Sequence, residues 1–205
     1  MSEFNVMNYT GNEIQRMKFR INGYTEESKK DEDWIIRLEA YRALGFTEDA
    51  KIDVNDDVRI DAYRALGYTE ESKKDRNRLI RISAYRALGF TEEATTDEND
   101  NIRLEAYRAL GYTKDATSDS HKVIRLEAYD ATGYTEEAKK DEHWVIRLMA
   151  YRELGFTEES KNDAYWIVRR SAYHVLGFTE DAKNDETPII RREAALYFAI
   201  KEGRV

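Results

Sequence analysis

Residues 32–53 read EDWIIRLEAYRALGFTEDAKID, and the same string, with substitutions, recurs without insertion or deletion to residue 185. Its glycine, Gly45, has counterparts at Gly23, Gly67, Gly89, Gly111, Gly133, Gly155 and Gly177, every interval being 22 residues. Thr25 through Thr179 keep the same step. A fixed period of this length is the mark of a tandem array, whose units bury their apolar faces on one another rather than in a central core. The period divides the chain into a degenerate N-terminal capping repeat over 1–31, seven full repeats over 32–185 and a C-terminal capping helix over 186–205.

Within the unit, Ile36, Ala40 and Leu44 fall on one helical face, widened by Ile35, Leu38 and Tyr41. Asp33, replaced elsewhere by Asn55, Asn77, Asn99 and Thr187, is an N-cap residue, and Pro188 suits a first helical position. A long helix is therefore predicted from about residue 34, ended by Gly45 as a left-handed cap. Thr47 should cap a second, short helix of about two turns, too short to stand without packing Phe46 and Ala50 on the long one. In the first copy Lys18 and Asn22 replace the Ala40-type and Leu44-type residues, which predicts polar outer faces on the terminal repeats. Thr132 in a leucine slot, beside Asp130 in an arginine slot, predicts a packing defect in one unit.

Composition narrows the function classes. Cysteine is absent, 36% of residues are charged and the net charge is −8, with a mean hydropathy of −0.80. No thiolate zinc site or disulfide framework can form. Residues 1–15 lack the basic and apolar regions of a signal peptide, and no apolar run approaches the ~20 residues of a membrane span, so a cytoplasmic location is expected. The acidic balance argues against general binding to nucleic-acid phosphates.

Two columns keep strict register: Asp31, Asp53, Asp75, Asp97, Asp119, Asp141, Asp163 and Asp185; and Arg37, Arg59, Arg81, Arg103, Arg125, Arg147, Arg169 and Arg191. The aspartate precedes the arginine by six residues, with Ile36, Val58, Ile80 or Ile190 directly before it. This pattern resembles the second-helix signature of HEAT repeats, closest to short bacterial and phage HEAT-like variants, with the first helix cut to TEEAKKD. The array is similar in style to leucine-rich variant repeats as well. The resemblance implies an all-α, open α-solenoid of two-helix units with an aspartate–arginine ladder between rungs, and prescribes no function. Catalytic groups do not repeat at each rung, so both columns read as structural.

Fifteen of the sixteen residues that follow each threonine, from Glu26-Glu27 to Glu180-Asp181, are acidic. They suit helix-dipole complementation and pairing with Lys29, Lys51, Lys73, Lys139, Lys161 and Lys183. The rival reading is a stripe that imitates a phosphate backbone. A basic column, Arg42, Arg64, Arg86, Arg108 and Arg152, is interrupted at Asp130; Glu39, Asp61 and Glu105 stand three residues before Arg42, Arg64 and Arg108, where they can pair.

Positions that differ between units are not dictated by stacking. They gather His121, Lys122, His143, Trp144, Tyr165 and Trp166 at the starts of successive long helices. Amphipathic aromatics on adjacent rungs suit a protein-recognition hot spot. The competing reading has the tryptophans packing over the preceding short helix, as Trp34 would. His121 and His143 stand ~8–10 Å apart on neighbouring helices, too far for a shared metal unless they converge. No catalytic constellation and no cofactor motif stands out. The expected function is a non-enzymatic binding module or scaffold for a protein partner. The alternatives are a phage-type inhibitor acting through the acidic stripe and a nucleic-acid-binding array.

Overall fold

The computed structural model describes residues 9–204, so residues 1–8 of the predicted N-terminal cap, and Val205 of the C-terminal one, lie outside the described residues. Among the described residues there are nine α-helices and no strand. In order they are α1 (Gly11–Asn22), α2 (Trp34–Leu44), α3 (Asp56–Leu66), α4 (Arg78–Leu88), α5 (Asp100–Leu110), α6 (Lys122–Thr132), α7 (Trp144–Leu154), α8 (Trp166–Leu176) and α9 (Pro188–Lys201). A five-residue 3₁₀ turn, such as Glu48–Ile52, precedes each helix from α2 onward. The chain divides into two compact units, one ending at Ile102 and one beginning at Arg103. Each is a segment of α-solenoid in which helix, turn and helix pack in sequence order.

The core is a string of small clusters. In the first unit Leu38 and Tyr41 of α2, Ala50 of the turn, and Val58 and Ala62 of α3 form one of them, with Trp34 and Phe46 packed against it. In the second, Tyr129, Ala138, Ile146 and Ala150 repeat the plan. The Ile36-type residue is wholly buried in every helix from α2 to α9, as Ile or Val. Each such side chain contributes ~1.5–3 kcal/mol. The alanines Ala40, Ala62 and Ala84 are at 0% exposure because a larger side chain would hold neighbouring helices apart. Each turn packs chiefly on the long helix that follows it. A ring stack closes every rung of both units: Tyr41 and Phe46 lie 5.6 Å apart at 9°, and Tyr129 and Tyr134 lie 5.5 Å apart at 14°.

Several expectations need correction. The second helix is a 3₁₀ helix of five residues, close to the expected two turns at three residues per turn, and not an α-helix. The Thr47 side chain makes no cap hydrogen bond; its carbonyl accepts from the Ala50 N–H at 3.0 Å. Where serine replaces that alanine, Ser28 Oγ accepts from the Thr25 N–H at 2.9 Å. Gly45 is not left-handed helical: its φ of 97° and ψ of 144° lie in a mirror-extended region essentially reserved for glycine. Its N–H still donates to the Tyr41 carbonyl at 2.9 Å, completing the last helical bond before the chain turns.

The Leu44 position is not core in α2, where Leu44 is 42% exposed, and its leucine counterparts are similar, whereas Phe198 at the same position of α9 is buried. The Ile36–Ala40 spacing, carried one step further, runs off the buried strip because Tyr41 takes over the contact. Thr132 therefore loses little, and its hydroxyl donates to the Ala128 carbonyl at 2.7 Å while α6 keeps its full length. The outer helices are not simply polar either. Lys18 and Asn22 of α1 are exposed, but so are Met17 and Ile21. On α9, Leu196 and Ile200 are exposed in the same way.

Candidate functional site

The arginine and aspartate columns meet between rungs. Arg37 Nε and Nη2 donate to the two carboxylate oxygens of Asp53, each at 2.7 Å, and Nη1 donates to the carbonyls of Asp31 and Glu32. Asp53 Oδ1 in turn accepts from the Asn55 N–H at 2.7 Å, setting the backbone that starts α3. In the first unit Arg59–Asp75 and Arg81–Asp97 repeat this fork. In the second, Arg103–Asp119, Arg125–Asp141, Arg147–Asp163 and Arg169–Asp185 do so.

The carboxylate that Arg103 serves is thus Asp119, while Asp97 belongs to Arg81. Gln15 donates to Asp31 at 2.7 Å, and Arg191 donates to the Asp185 and Glu186 carbonyls. Burial opposes ionisation of Asp53, Asp119, Asp141 and Asp185, but the arginine fork and the backbone N–H outweigh it and hold all four carboxyls below the usual aspartate value. These groups are consumed by stacking.

A second ladder follows the basic column. Its pairs are not the expected neighbours three residues apart. Arg42 reaches Asp61 of the next rung at 2.6 Å, Arg20 reaches Glu39, and Arg108 reaches Glu127; Arg64–Asp61, at 3.5 Å, does keep the short spacing. Tyr24 and Tyr112 donate to the same glutamates. Burial and the bond to Glu127 push the Tyr112 phenol up to about 12. The signal was legible, because a tyrosine after the glycine stands one rung before a glutamate in both cases. Where Met149 replaces the glutamate, Tyr134 donates to Asp130 instead, at 2.6 Å.

The acidic column is clamped from beneath. Lys51 is buried, its ammonium 5.5 Å from the Tyr63 ring centroid and 3.1 Å from Glu48. Lys29 and Lys73 in the first unit, and Lys139 and Lys161 in the second, make the same pair of contacts. Thr95 and Thr117 stand in this column without a charge, each donating to a carbonyl three residues back at 2.7 Å.

The long-helix starts differ between the units. In the first, Asp33, Asn55 and Asn77 cap their own helices. In the second, His121, His143, Tyr165 and Thr187 occupy the cap position with no side-chain cap bond. A cap-position side chain leans on the first helical residue of the preceding rung. Asn77 Nδ2 donates to Asp56 Oδ2 at 2.8 Å in the first unit. In the second, the Tyr165 and Trp144 rings stack at 4.4 Å and 15°. His143 lies 6.2 Å from the Trp144 ring, and Ser120, His121, Lys122, Arg125, Glu142 and His143 line a shallow groove beside it. Burial, and then Lys122, hold the His143 imidazole below its usual value.

Five of the six candidate residues therefore form one continuous edge. Trp166 stands apart: it packs against the Tyr173, Ala182, Ile190 and Ala194 cluster, and among the described residues no ring contact joins it to Trp144 or Tyr165. All three tryptophans are half-buried, packed onto core clusters that reach the following rung. Leu38 and Leu148, each 6% exposed, are the leucines that stand one turn after a tryptophan, whereas Leu104 and Leu126 at the same position are half-buried.

Among the described residues no cluster of histidine and carboxylate could hold a metal ion, and no helix is long and apolar enough to cross a membrane. His174 is engaged with Glu193 at 3.0 Å. No protein-family model, no curated protein and no solved structure matches the chain.

Proposed function

We propose that the chain is a non-enzymatic binding module of the short bacterial or phage HEAT-like kind, working in the cytoplasm, which holds a protein partner along the edge bearing Trp144 and Tyr165. One observation carries this reading. The contact between the cap position of one rung and the helix start of the one before is made by a polar pair at Asp56–Asn77 and by an aromatic pair at Trp144–Tyr165. The repeat is built with either, so the aromatic mass is surplus to stacking and is explained by recognition. The test compares Trp144→Ala, Tyr165→Ala and Trp166→Ala with Trp34→Ala in partner capture at two salt concentrations, with and without nuclease. Trp144→Ala and Tyr165→Ala should each weaken binding by ~2 kcal/mol or more, and Trp34→Ala should leave it intact. Equal effects of Trp34→Ala and Trp144→Ala would reduce the tryptophans to packing.

The inhibitor reading keeps one observation in its favour. Thr95 replaces the clamping lysine above Glu92 and Glu93, leaving Lys74, 3.9 Å from Glu93, as the nearby cation. In the same capture experiment, binding that collapses with salt and tracks Glu92 and Glu93 would support it.

A further inference from the structure

The chemistry of this edge, taken with the reading above on which the argument rests, narrows the kind of partner. We infer that the edge receives a short acidic segment of the partner, its carboxylates over Lys122 and His143 and its apolar side chains against the Trp144–Tyr165 ring pair. The argument is charge complementarity. Near the helix starts of the first unit stand six carboxylates, Glu32, Asp33, Asp56, Asp57, Glu98 and Asp100, against two arginines, Arg76 and Arg78. The same stretch of the second unit carries only Glu142 and Glu186 as carboxylates; each is exposed and pairs with a ladder arginine, Glu142 with Arg125 and Glu186 with Arg169 at 2.9 Å, as Glu98 does with Arg81 at 3.0 Å in the first unit.

The groove beside the ring pair is lined by Ser120, His121, Lys122, Arg125 and His143, with Glu142 as its one carboxylate. Lys122 is exposed and forms no ion pair among the described residues. His121 and His143 flank it, with Arg125 below. In a chain of net charge −8, Lys122 is thus the groove's exposed charge without an ion pair among the described residues, while Glu142 is 2.9 Å from Arg125. A basic segment would be opposed by Lys122. A long polyanion would run onto the exposed pairs Glu136-Glu137 and Glu158-Glu159 of the same unit. A short acidic segment meets neither obstacle. The step between rungs, ~8–10 Å, and the ~3.3 Å advance of an extended chain place successive contacts about three residues apart. The fitting pattern is a glutamate followed three residues later by a leucine or phenylalanine.

The test uses the full chain and an acetylated, amidated peptide repeating Glu-Ser-Ser-Leu, with Gln and Lys versions and a single-stranded oligonucleotide, by titration calorimetry. The glutamate peptide should bind, the Gln version about tenfold weaker and the Lys version weaker still. Lys122→Glu should weaken the glutamate peptide about tenfold, and Lys30→Glu, an exposed change in the first unit, should leave it unchanged. Trp144→Ala should abolish binding. Equal binding of all three peptides, all lost with Trp144→Ala, would overturn the acidic segment and leave the aromatic edge as a docking site. Binding indifferent to both Lys122→Glu and Trp144→Ala would overturn both readings. An oligonucleotide that outcompetes the glutamate peptide, or no glutamate-peptide binding at millimolar concentration, would overturn the inference outright.

Discussion

Asp56 and Trp144 hold the same place in the repeat, four periods apart, and so do Asn77 and Tyr165. Asp56 is an electrostatic junction, accepting from Asn77 at 2.8 Å and from Arg59 at 2.7 Å. Trp144 is an apolar lid, stacked on Tyr165 and packed on the cluster that holds Leu148. Beneath both, the arginine fork is the same: Arg59 to Asp75 and Arg147 to Asp163. The rung is fixed by what lies under the edge, and the edge is left to vary. That is why the proposed recognition role rests on the aromatics and not on the ladder.

The widest test of the shared part is acid. The folded-state values of Asp53, Asp119, Asp141 and Asp185 lie below the unfolded value of ~3.9. The unfolded chain then takes up protons first as pH falls. Stability should be flat from pH 7 to about 5 and drop as pH passes below about 4, in both units together, because each contains such pairs. The urea midpoint across pH reads this directly; a midpoint as high at pH 3 as at pH 7 would remove the ladder from the account.

A single break is the next largest effect. Arg59→Ala and Arg147→Ala each strand an aspartate that is 6–8% exposed, and each should cost ~3–5 kcal/mol. The losses should be similar even though Arg59 has Asp56 as a second partner, since that contact is half-exposed. A much larger loss at Arg59 in chemical denaturation would mean that the edge, and not the ladder, holds the first unit.

The smallest expected change in stability is the most informative about function. The double variant Trp144→Asp, Tyr165→Asn writes the first unit's edge into the second. Asp at 144 would stand three residues before Arg147, as Asp56 stands before Arg59. Lost cover over Leu148 should cost ~1–2 kcal/mol, less than either arginine change. Helical circular dichroism should be unchanged. A cost equal to the arginine variants would show the aromatic pair to be structural.

The period was legible because glycine, aspartate and arginine have duties that few other residues can meet. Gly45 sits in a conformation closed to side chains, and only arginine spans a bidentate fork to the next rung while serving two carbonyls of its own. The partner of each arginine was harder to place, because sequence distance favours the neighbour three residues away and stacking favours the one on the next rung. Leu44 misled for a related reason. Helical spacing puts it in line with Ile36 and Ala40, but the ring pair Tyr41–Phe46 fills the space where its contact would be. The aromatic edge was visible as a deviation from the repeat. Its continuity from Lys122 to Tyr165, and the separate lodging of Trp166, depend on side-chain directions that a one-dimensional pattern does not carry.

The offset of the fork has a further consequence. With a segment taken as a 3₁₀ turn and the helix that follows it, each arginine takes the carboxylate of the following segment, so every segment presents a donor on its trailing side and an acceptor on its leading side. Such a chain is a polymer of monomers with unlike ends, and any monomer can follow any other. Duplication or loss of coding sequence in whole 22-residue steps leaves each seam with a matching pair. A slip of one residue turns the next helix by about 100° and leaves both halves of the joint unmet. The strict spacing from Gly23 to Gly177 is what such a rule of assembly would leave behind: length free to change by whole monomers, and phase not free to change at all.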